Sequence, residues 1–353
     1  MTGQAPRIAV VGTGANGAGI GVDLVRAGHD VTFVEQWPEN VLAMRDRGVV
    51  VRMPGAETRT AVRAYHLCEV ATFRQPFDVV FLAVKAYDTR WACQLIEPLV
   101  APDGLVVGLQ NGLTHDTITD VVGAHRTLGA VIEVSAGMFE PGVVERHTPP
   151  AGSWFGVGCL DASTAGREGE IIELLSHAGH AERSGDIRSA KWMKLVANCA
   201  EVVTSAILDL PLIEAAKLPG MHDFMVETGK EAARVAVARG SAIVPIFGYP
   251  DVDPGDPDAF AERLLATIYE KFALPHTLTA VLQDWRKGRR SEVDDMNGVI
   301  AREQRRLGGT APYNAWVTEL AHRIERGELR HHPDNLPLLL SRGAANPTTE
   351  SEL

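Results

Sequence analysis

The most constraining feature of this chain is the spacing of Gly12, Gly14 and Gly17, which follow an apolar run at 7–11 (RIAVV) and open a helical stretch at 17–27 closed by Gly28. Strand, tight turn and helix in that order are what a G-x-G-x-x-G pattern needs to be more than punctuation. The first glycine permits the turn and the second lets a pyrophosphate approach the backbone. The third lets the helix pack closely on the strand. The free N–H groups and the positive dipole end of the helix then face the phosphates, so Gly12, Gly14, Ala15, Asn16 and Gly17 are expected to form a dinucleotide cradle. Glu35 ends the next strand (30–35, DVTFVE), 23 residues after Gly12, where an acid commonly accepts from the adenosine ribose hydroxyls. A carboxylate there repels a 2′-phosphate, and Gln36 follows it, which favours NAD over NADP; Arg45 and Arg47 leave NADP open.

The pattern continues as strands alternating with helices. A helix is expected at 38–47, a hairpin from 49–52 and 61–65, and a strand buried on both faces at 77–85 (FDVVFLAVK). Next come a helix at 88–99, a strand at 104–110, a helix at 115–123 and a strand at 127–136. This order implies an α/β fold: a Rossmann, doubly wound parallel sheet. Residues 137–160 suggest antiparallel edge strands, and a helix near 166–178 closes this half. Beyond about 186 strand signals almost vanish. Amphipathic runs at 187–208, 212–239, 257–270, 276–287 and 291–307 indicate an all-helical C-terminal domain. The expected organisation is a dinucleotide-binding domain at 1–185, a helical substrate and catalytic domain at 186–340 and a disordered tail at 341–353, with 241–256 a proline- and glycine-rich loop.

A chain of 353 residues accommodates two cores. With 45% hydrophobic and 22% charged residues it reads as globular. A formal charge of −11 offers no basic field for a phosphate backbone, so nucleic acid is not an expected partner. The basic cluster Arg286, Lys287, Arg289 and Arg290 reads as a solvated helix end, with contact to an anionic substrate as the less favoured alternative. Cys68, Cys93, Cys159 and Cys199 form no CxxC or disulfide pattern and read as reduced core thiols. The apolar N-terminus is broken by glycines, Asn16 and Asp23, which argues against a secretion signal, and no apolar stretch reaches membrane-spanning length. A cytoplasmic location is expected.

Three further segments carry polar residues where a ligand crevice should lie: VKAYDT with Lys85 at one strand end, LQNG with Asn111 at the next, and KWMKLVANC on the first helix of the second domain. Lys194 and Asn198 are four apart and share a helix face. The chain resembles the ketopantoate reductase (2-dehydropantoate 2-reductase) family over nearly its whole length. The likeness rests on the order and spacing of VVGTGANG, VKAYDT, LQNG, the K-L-x-x-N-C of Lys194 to Cys199, and SEVDDMNG at 291–298. The resemblance implies that Lys194 is the general acid that protonates a carbonyl oxygen as hydride arrives from the nicotinamide; an ammonium aimed at a developing alkoxide also stabilises it. It implies that Asn111 orients the nicotinamide ribose and substrate, Lys85 the cofactor side, Asn198 the substrate, and Glu292 the substrate and Lys194. Ser291, Glu292, Asp294 and Asp295 also read as an N-cap with first-turn acids, and Lys191 reads as a surface residue.

The substrate pocket departs from the family pattern. Val202 stands where a second helix asparagine usually follows Asn198, Leu212 replaces a polar residue, and Thr277 and Ala280 occupy places where the family tends to carry an asparagine and a serine. The expected reaction is hydride transfer between nicotinamide and a small 2-oxo acid or 2-hydroxy acid, or a related carbonyl or alcohol, other than ketopantoate, by a homodimer formed through the helical domain. No metal is expected. The alternatives are an opine-type or 3-hydroxyacyl-type dehydrogenase, or a regulatory protein that binds NAD without turnover. The dehydrogenase alternative wants a His–Glu pair, and His147, His177 and His180 have no evident acidic partner in the sequence.

Overall fold

The computed structural model describes residues 5–248, 253–275 and 278–341. The chain divides into two compact units. The first comprises Met1–Lys191 together with Val244–Pro250, and the second Trp192–Ile243 and Asp251–Leu353.

The first unit opens with β1 (Arg7–Val11), α1 (Ala15–Arg26), β2 (Asp30–Glu35) and α2 (Pro38–Arg47), followed by β3 (Val49–Met53), β4 (Ala56–Thr60), β5 (Arg63–His66) and β6 (Phe77–Leu82). It continues with α3 (Thr89–Ile96), β7 (Val100–Gly108), α4 (His115–Val122), β8 (Thr127–Glu133), β9 (Ala136–Gly137), β10 (Val143–Arg146), β11 (Trp154–Cys159), α5 (Glu168–Leu175) and β12 (His180–Arg183). Eight strands form one sheet in the order β12-β11-β8-β7-β6-β1-β2-β5, parallel throughout except for the β8–β11 pair. The Rossmann expectation therefore holds. Alternation along β1 shows why the strands carry almost no polar residues: Ile8 and Val10 join the core on one sheet face, Ala9 and Val11 the core on the other.

Two local expectations are corrected. The hairpin pairs β3 with β4, whereas β5 lies parallel to β2 as the sheet edge. The polar sequence of β4 (AETRT) hides it, since both its faces are largely exposed. Residues 136–146 do not extend the main sheet either. Together with β3 and β4 they make a second sheet, β4-β3-β10-β9, in which β10 runs parallel to β3. This sheet lies against α1, which explains that helix's glycines: a Cβ on Gly19 would touch Val144 at 3.8 Å and one on Gly21 would meet the Phe33 ring at 2.7 Å. Arg146 is buried between these layers, where it pairs with Asp23 of α1 and donates to the carbonyls of Thr148 (3.0 Å) and Ala178 (2.7 Å). Phe247, in the returning segment, stands edge-on to Trp154 with ring centroids 5.6 Å apart.

The long helix α6 (Ile187–Ile207) starts in the first unit and passes into the second. The second unit adds α7 (Leu212–Ala216), α8 (Met221–Ala238), α9 (Pro257–Lys271), α10 (Ala280–Arg286), α11 (Asn297–Arg306), α12 (Pro312–Glu325) and α13 (Leu336–Leu340). It is helical among the described residues, as expected. The single run expected at 212–239 is broken, because Pro219 and Gly220 (φ +78°) cannot continue a helix. Helix α12 has no counterpart in the sequence reading; its buried positions Asn314, Val317, Leu320 and Ala321 include a polar residue that blurs the stripe. Asn314 belongs to a buried network. Its main-chain N–H and side-chain amide donate to Glu231 at 3.0 and 2.9 Å, and Asn297 donates to Asn314 (2.9 Å) and to the Cys199 carbonyl (3.0 Å). Burial raises the Glu231 pKa, with the Asn314 hydrogen bonds pulling the other way.

All four cysteines are free. Cys93 and Cys199 are buried and Cys159 half-buried, but Cys68 is exposed, against the expectation of a core thiol. The tail expected to be disordered lies, after Ser341, outside the described residues, as do residues 249–252 of the proline- and glycine-rich loop. Among the described residues no helix is long and apolar enough to cross a membrane, and no cluster of side chains suits a metal ion.

Candidate nucleotide and active site

The β1–α1 turn is built around close backbone approach. Gly12 has φ +88°, and a Cβ there would lie 2.6 Å from the Val84 nitrogen; a Cβ on Gly17 would collide with the Gly12 carbonyl oxygen. Only glycine fits either position. Gly14 differs, because a Cβ added there meets nothing within 4 Å, so the space over the turn is open. Ala15 begins α1 with its N–H directed out of the helix start, and the buried Oδ1 of Asn16 has no hydrogen-bond partner in the structure. Open space, free helix N–H groups and an orphaned polar atom fit a dinucleotide phosphate.

Glu35 lies at the end of β2, next to this turn. Its Oε1 accepts the main-chain N–H groups of Gln36 (2.8 Å) and Trp37 (3.0 Å), and its Oε2 accepts the Thr13 hydroxyl at 3.1 Å. Asn40 locks the other side of the turn by donating to the Thr13 carbonyl (3.0 Å) and accepting from the Gly142 N–H (2.7 Å). Thr13 and Asn40 were not singled out from the sequence. The signal for Thr13 is its place between the first two glycines, where its side chain must emerge beside the adjacent strand end.

Lys85 and Asn111 leave the neighbouring strands β6 and β7, paired in register at Leu82 and Gly108. Both are half-buried. The residue that joins their two loops is Gln110, whose side-chain amide donates to the Val84 carbonyl (2.8 Å) and to the Thr89 hydroxyl (2.9 Å). At the start of α4, which follows this loop, His115 is 5% exposed, and burial, reinforced by the charge of Lys191, pushes its pKa down to about 4.

Lys191 corrects an expectation. It is no surface residue but 4% exposed, with Nζ donating to the Gln110 carbonyl at 2.9 Å and the Ala130 carbonyl at 3.4 Å. It stands four residues after the buried Ile187, on the covered stripe of α6, and that spacing is the signal that was missed. In the second unit, α6 carries Lys194, half-buried, and Asn198, 2% exposed, one turn apart. Val202 and Leu212 are buried, Ala280 is half-buried and Thr277 lies outside the described residues. Glu292 is 4% exposed and precedes a short helical turn whose first-turn acids are Asp294 and Asp295. Its charge, after burial itself, raises the pKa of nearby Asp295. Ser291 is held by Glu325, to which its N–H and hydroxyl donate at 2.8 and 2.6 Å. His180 does meet an acid, Glu182 at 3.3 Å, on the edge strand β12, where His180 is exposed and Glu182 half-buried. Arg286 of the basic cluster pairs with Asp209 at 2.9 Å.

A doubly wound nucleotide unit with this turn, followed by a helical unit, defines an NAD(P)-dependent oxidoreductase. The model of the family described as ketopantoate reductase PanE/ApbA matches residues 8–158, and that of its C-terminal domain matches 186–325. The chain belongs to this family, whose members act on CH–OH groups. Its curated relatives include the 2-dehydropantoate 2-reductases of Lactococcus lactis, 26% identical over 90% of this chain and 98% of that one, and of Archaeoglobus fulgidus, 28% identical over 91% and 98%. Among solved structures it is similar to a PanE/ApbA family ketopantoate reductase from Ralstonia eutropha (TM-score 0.75, 29% identity, 91% of this chain and 99% of that one). It also shares its fold with a D-mandelate dehydrogenase in ternary complex with NADH and anilino(oxo)acetate (TM-score 0.80, 24% identity, the same coverages).

The low pKa of His115 makes a pH prediction. The folded protein resists protonation down to about 4, whereas the unfolded chain takes up this proton near the ordinary imidazole value of 6.5, so stability should fall as pH drops through that window. The full shift corresponds to a loss on the order of 3 kcal/mol. Urea unfolding at about pH 7 and about pH 4.5 reads it, and His115→Gln should flatten the difference. An unchanged slope in that variant would assign the acid sensitivity elsewhere.

Proposed function

We propose that the protein interconverts a small 2-oxo acid and its 2-hydroxy acid, with NAD(H) preferred over NADP(H), and that ketopantoate is a poor substrate. The observation that carries this reading is the pairing on α6 of half-buried Lys194 with buried Asn198 in a chain matched by both family models. Bound NADH supplies the hydride. Lys194 donates the proton to the carbonyl oxygen in reduction, or takes it from the hydroxyl in oxidation, and its ammonium stabilises the charge that develops there. Asn198 orients the substrate, and Glu292 holds substrate and Lys194 in place. Asn111 orients the nicotinamide ribose and Lys85 steadies the cofactor side. The helical unit is the surface assigned to homodimer contact.

The cofactor preference rests on Glu35. Its carboxylate accepts ribose hydroxyls but repels a 2′-phosphate, so NADH should bind more tightly than NADPH, and Glu35→Ala should narrow the gap. Fluorescence titration with both nucleotides decides this; NADPH binding as tight as NADH binding in the native chain, unaffected by Glu35→Ala, would remove the argument.

The substrate preference rests on Val202, which follows Asn198 by one turn and offers no polar atom from its side chain. Each missing buried hydrogen bond costs roughly 1–3 kcal/mol in selectivity. In a panel of 2-oxo acids with NADH, ketopantoate should give a kcat/KM at least about tenfold below that of the best compound. Parity would overturn the preference while leaving the reaction class intact.

The catalytic assignment is tested by Lys194→Met, which keeps length and apolar stem while deleting the ammonium. Folding and NADH affinity should survive, and turnover should fall by about 10²–10⁴-fold. Turnover within roughly twofold of the native enzyme would exclude Lys194 as the proton donor.

A further inference from the structure

Lys191 has no role in the reaction just proposed, yet it is the more deeply buried of the two lysines on this part of α6. Burying an ammonium costs several kcal/mol unless it is compensated by hydrogen bonds. Its partners include two main-chain carbonyls, that of Gln110, just past the end of β7, and that of Ala130, within the adjacent strand β8. The Gln110 carbonyl belongs to the peptide unit that leads into Asn111. From the same residue the side-chain amide reaches to the Val84 carbonyl, which leads into Lys85. Gln110 is therefore a two-sided bridge, with its side chain fixing the exit of β6 and its main chain fixed in turn by Lys191. An ammonium donating to a carbonyl is a charge-assisted bond, stronger than the amide bonds around it.

We propose that Lys191 is a positioning residue that, through the Gln110 carbonyl, fixes the turn from β7 into Asn111 and with it the nicotinamide-end contacts of Asn111 and Lys85. The proposal rests on the cofactor reading above. It gives a buried charge a purpose that packing alone would not require, because an apolar side chain of the same length would fill the space at lower desolvation cost.

The test is a double-mutant cycle on nucleotide affinity, measured by fluorescence titration of the full chain with NADH and with ADP, which lacks the nicotinamide riboside. Lys191→Met should weaken NADH binding by about tenfold while ADP binding stays within about twofold. Lys191→Met combined with Asn111→Ala should bind NADH no more weakly than Asn111→Ala alone, because the two residues act through one contact. NADH binding within about twofold of the native chain, equal weakening of ADP, or losses that multiply in the double variant would each overturn the proposal. If Lys191→Met does not fold, Lys191→Gln, which keeps an N–H donor without the charge, is read by the same criteria. A native chain that binds ADP but no nicotinamide nucleotide would instead refute the proposed function itself.

Discussion

The contact between the third glycine of the turn and the carbonyl of the first is the constraint on which the nucleotide unit depends. Without a Cβ at Gly17, α1 sits close enough to β1 for its first N–H groups to face the open space above Gly14. The same closeness lets α1 lie between two sheets, with Phe33 on one side and Val144 on the other filling the room its glycines leave. Glycine lowers helix propensity by about 1 kcal/mol per residue relative to alanine, so this helix is held by its packing rather than by its own preference.

Much of this was legible in the sequence because buried parallel strands and amphipathic helices write their periodicity directly. β1, β2, α2 and α6 fall where apolar runs and spacing put them. What escaped was structure whose stabilisation comes from partners distant in sequence. β4 and β12 are polar edge strands without alternation, and α12 places Asn314 where a stripe of apolar residues would be expected. The pairing of β10 with β3 joins segments some ninety residues apart, and nothing local in either announces it.

The candidate site divides along the same line. The glycines and Glu35 were readable because a motif fixes their position relative to a strand and a helix. Thr13, Gln110 and Lys191 were not, since each acts through hydrogen bonds to groups elsewhere in the chain. Lysine in particular reads as surface by default, and only its place four residues after Ile187 betrays the buried face.

With Glu35 in the role proposed above, its anchoring bears on how readily such an enzyme could exchange one nucleotide for the other in evolution. Three donors from two different segments, Thr13 on the glycine turn and the main chain at Gln36 and Trp37, have already immobilised the carboxylate. The rotamer entropy of a glutamate, up to about 2 kcal/mol, is thus spent in folding rather than at each encounter with cofactor. Removing the acid, however, leaves those three donors pointing at nothing. On the cofactor reading proposed above, a lineage drifting towards the phosphorylated nucleotide would have to rebuild the strand end and the turn together, so coenzyme choice would be a property of a small module rather than of one replaceable side chain.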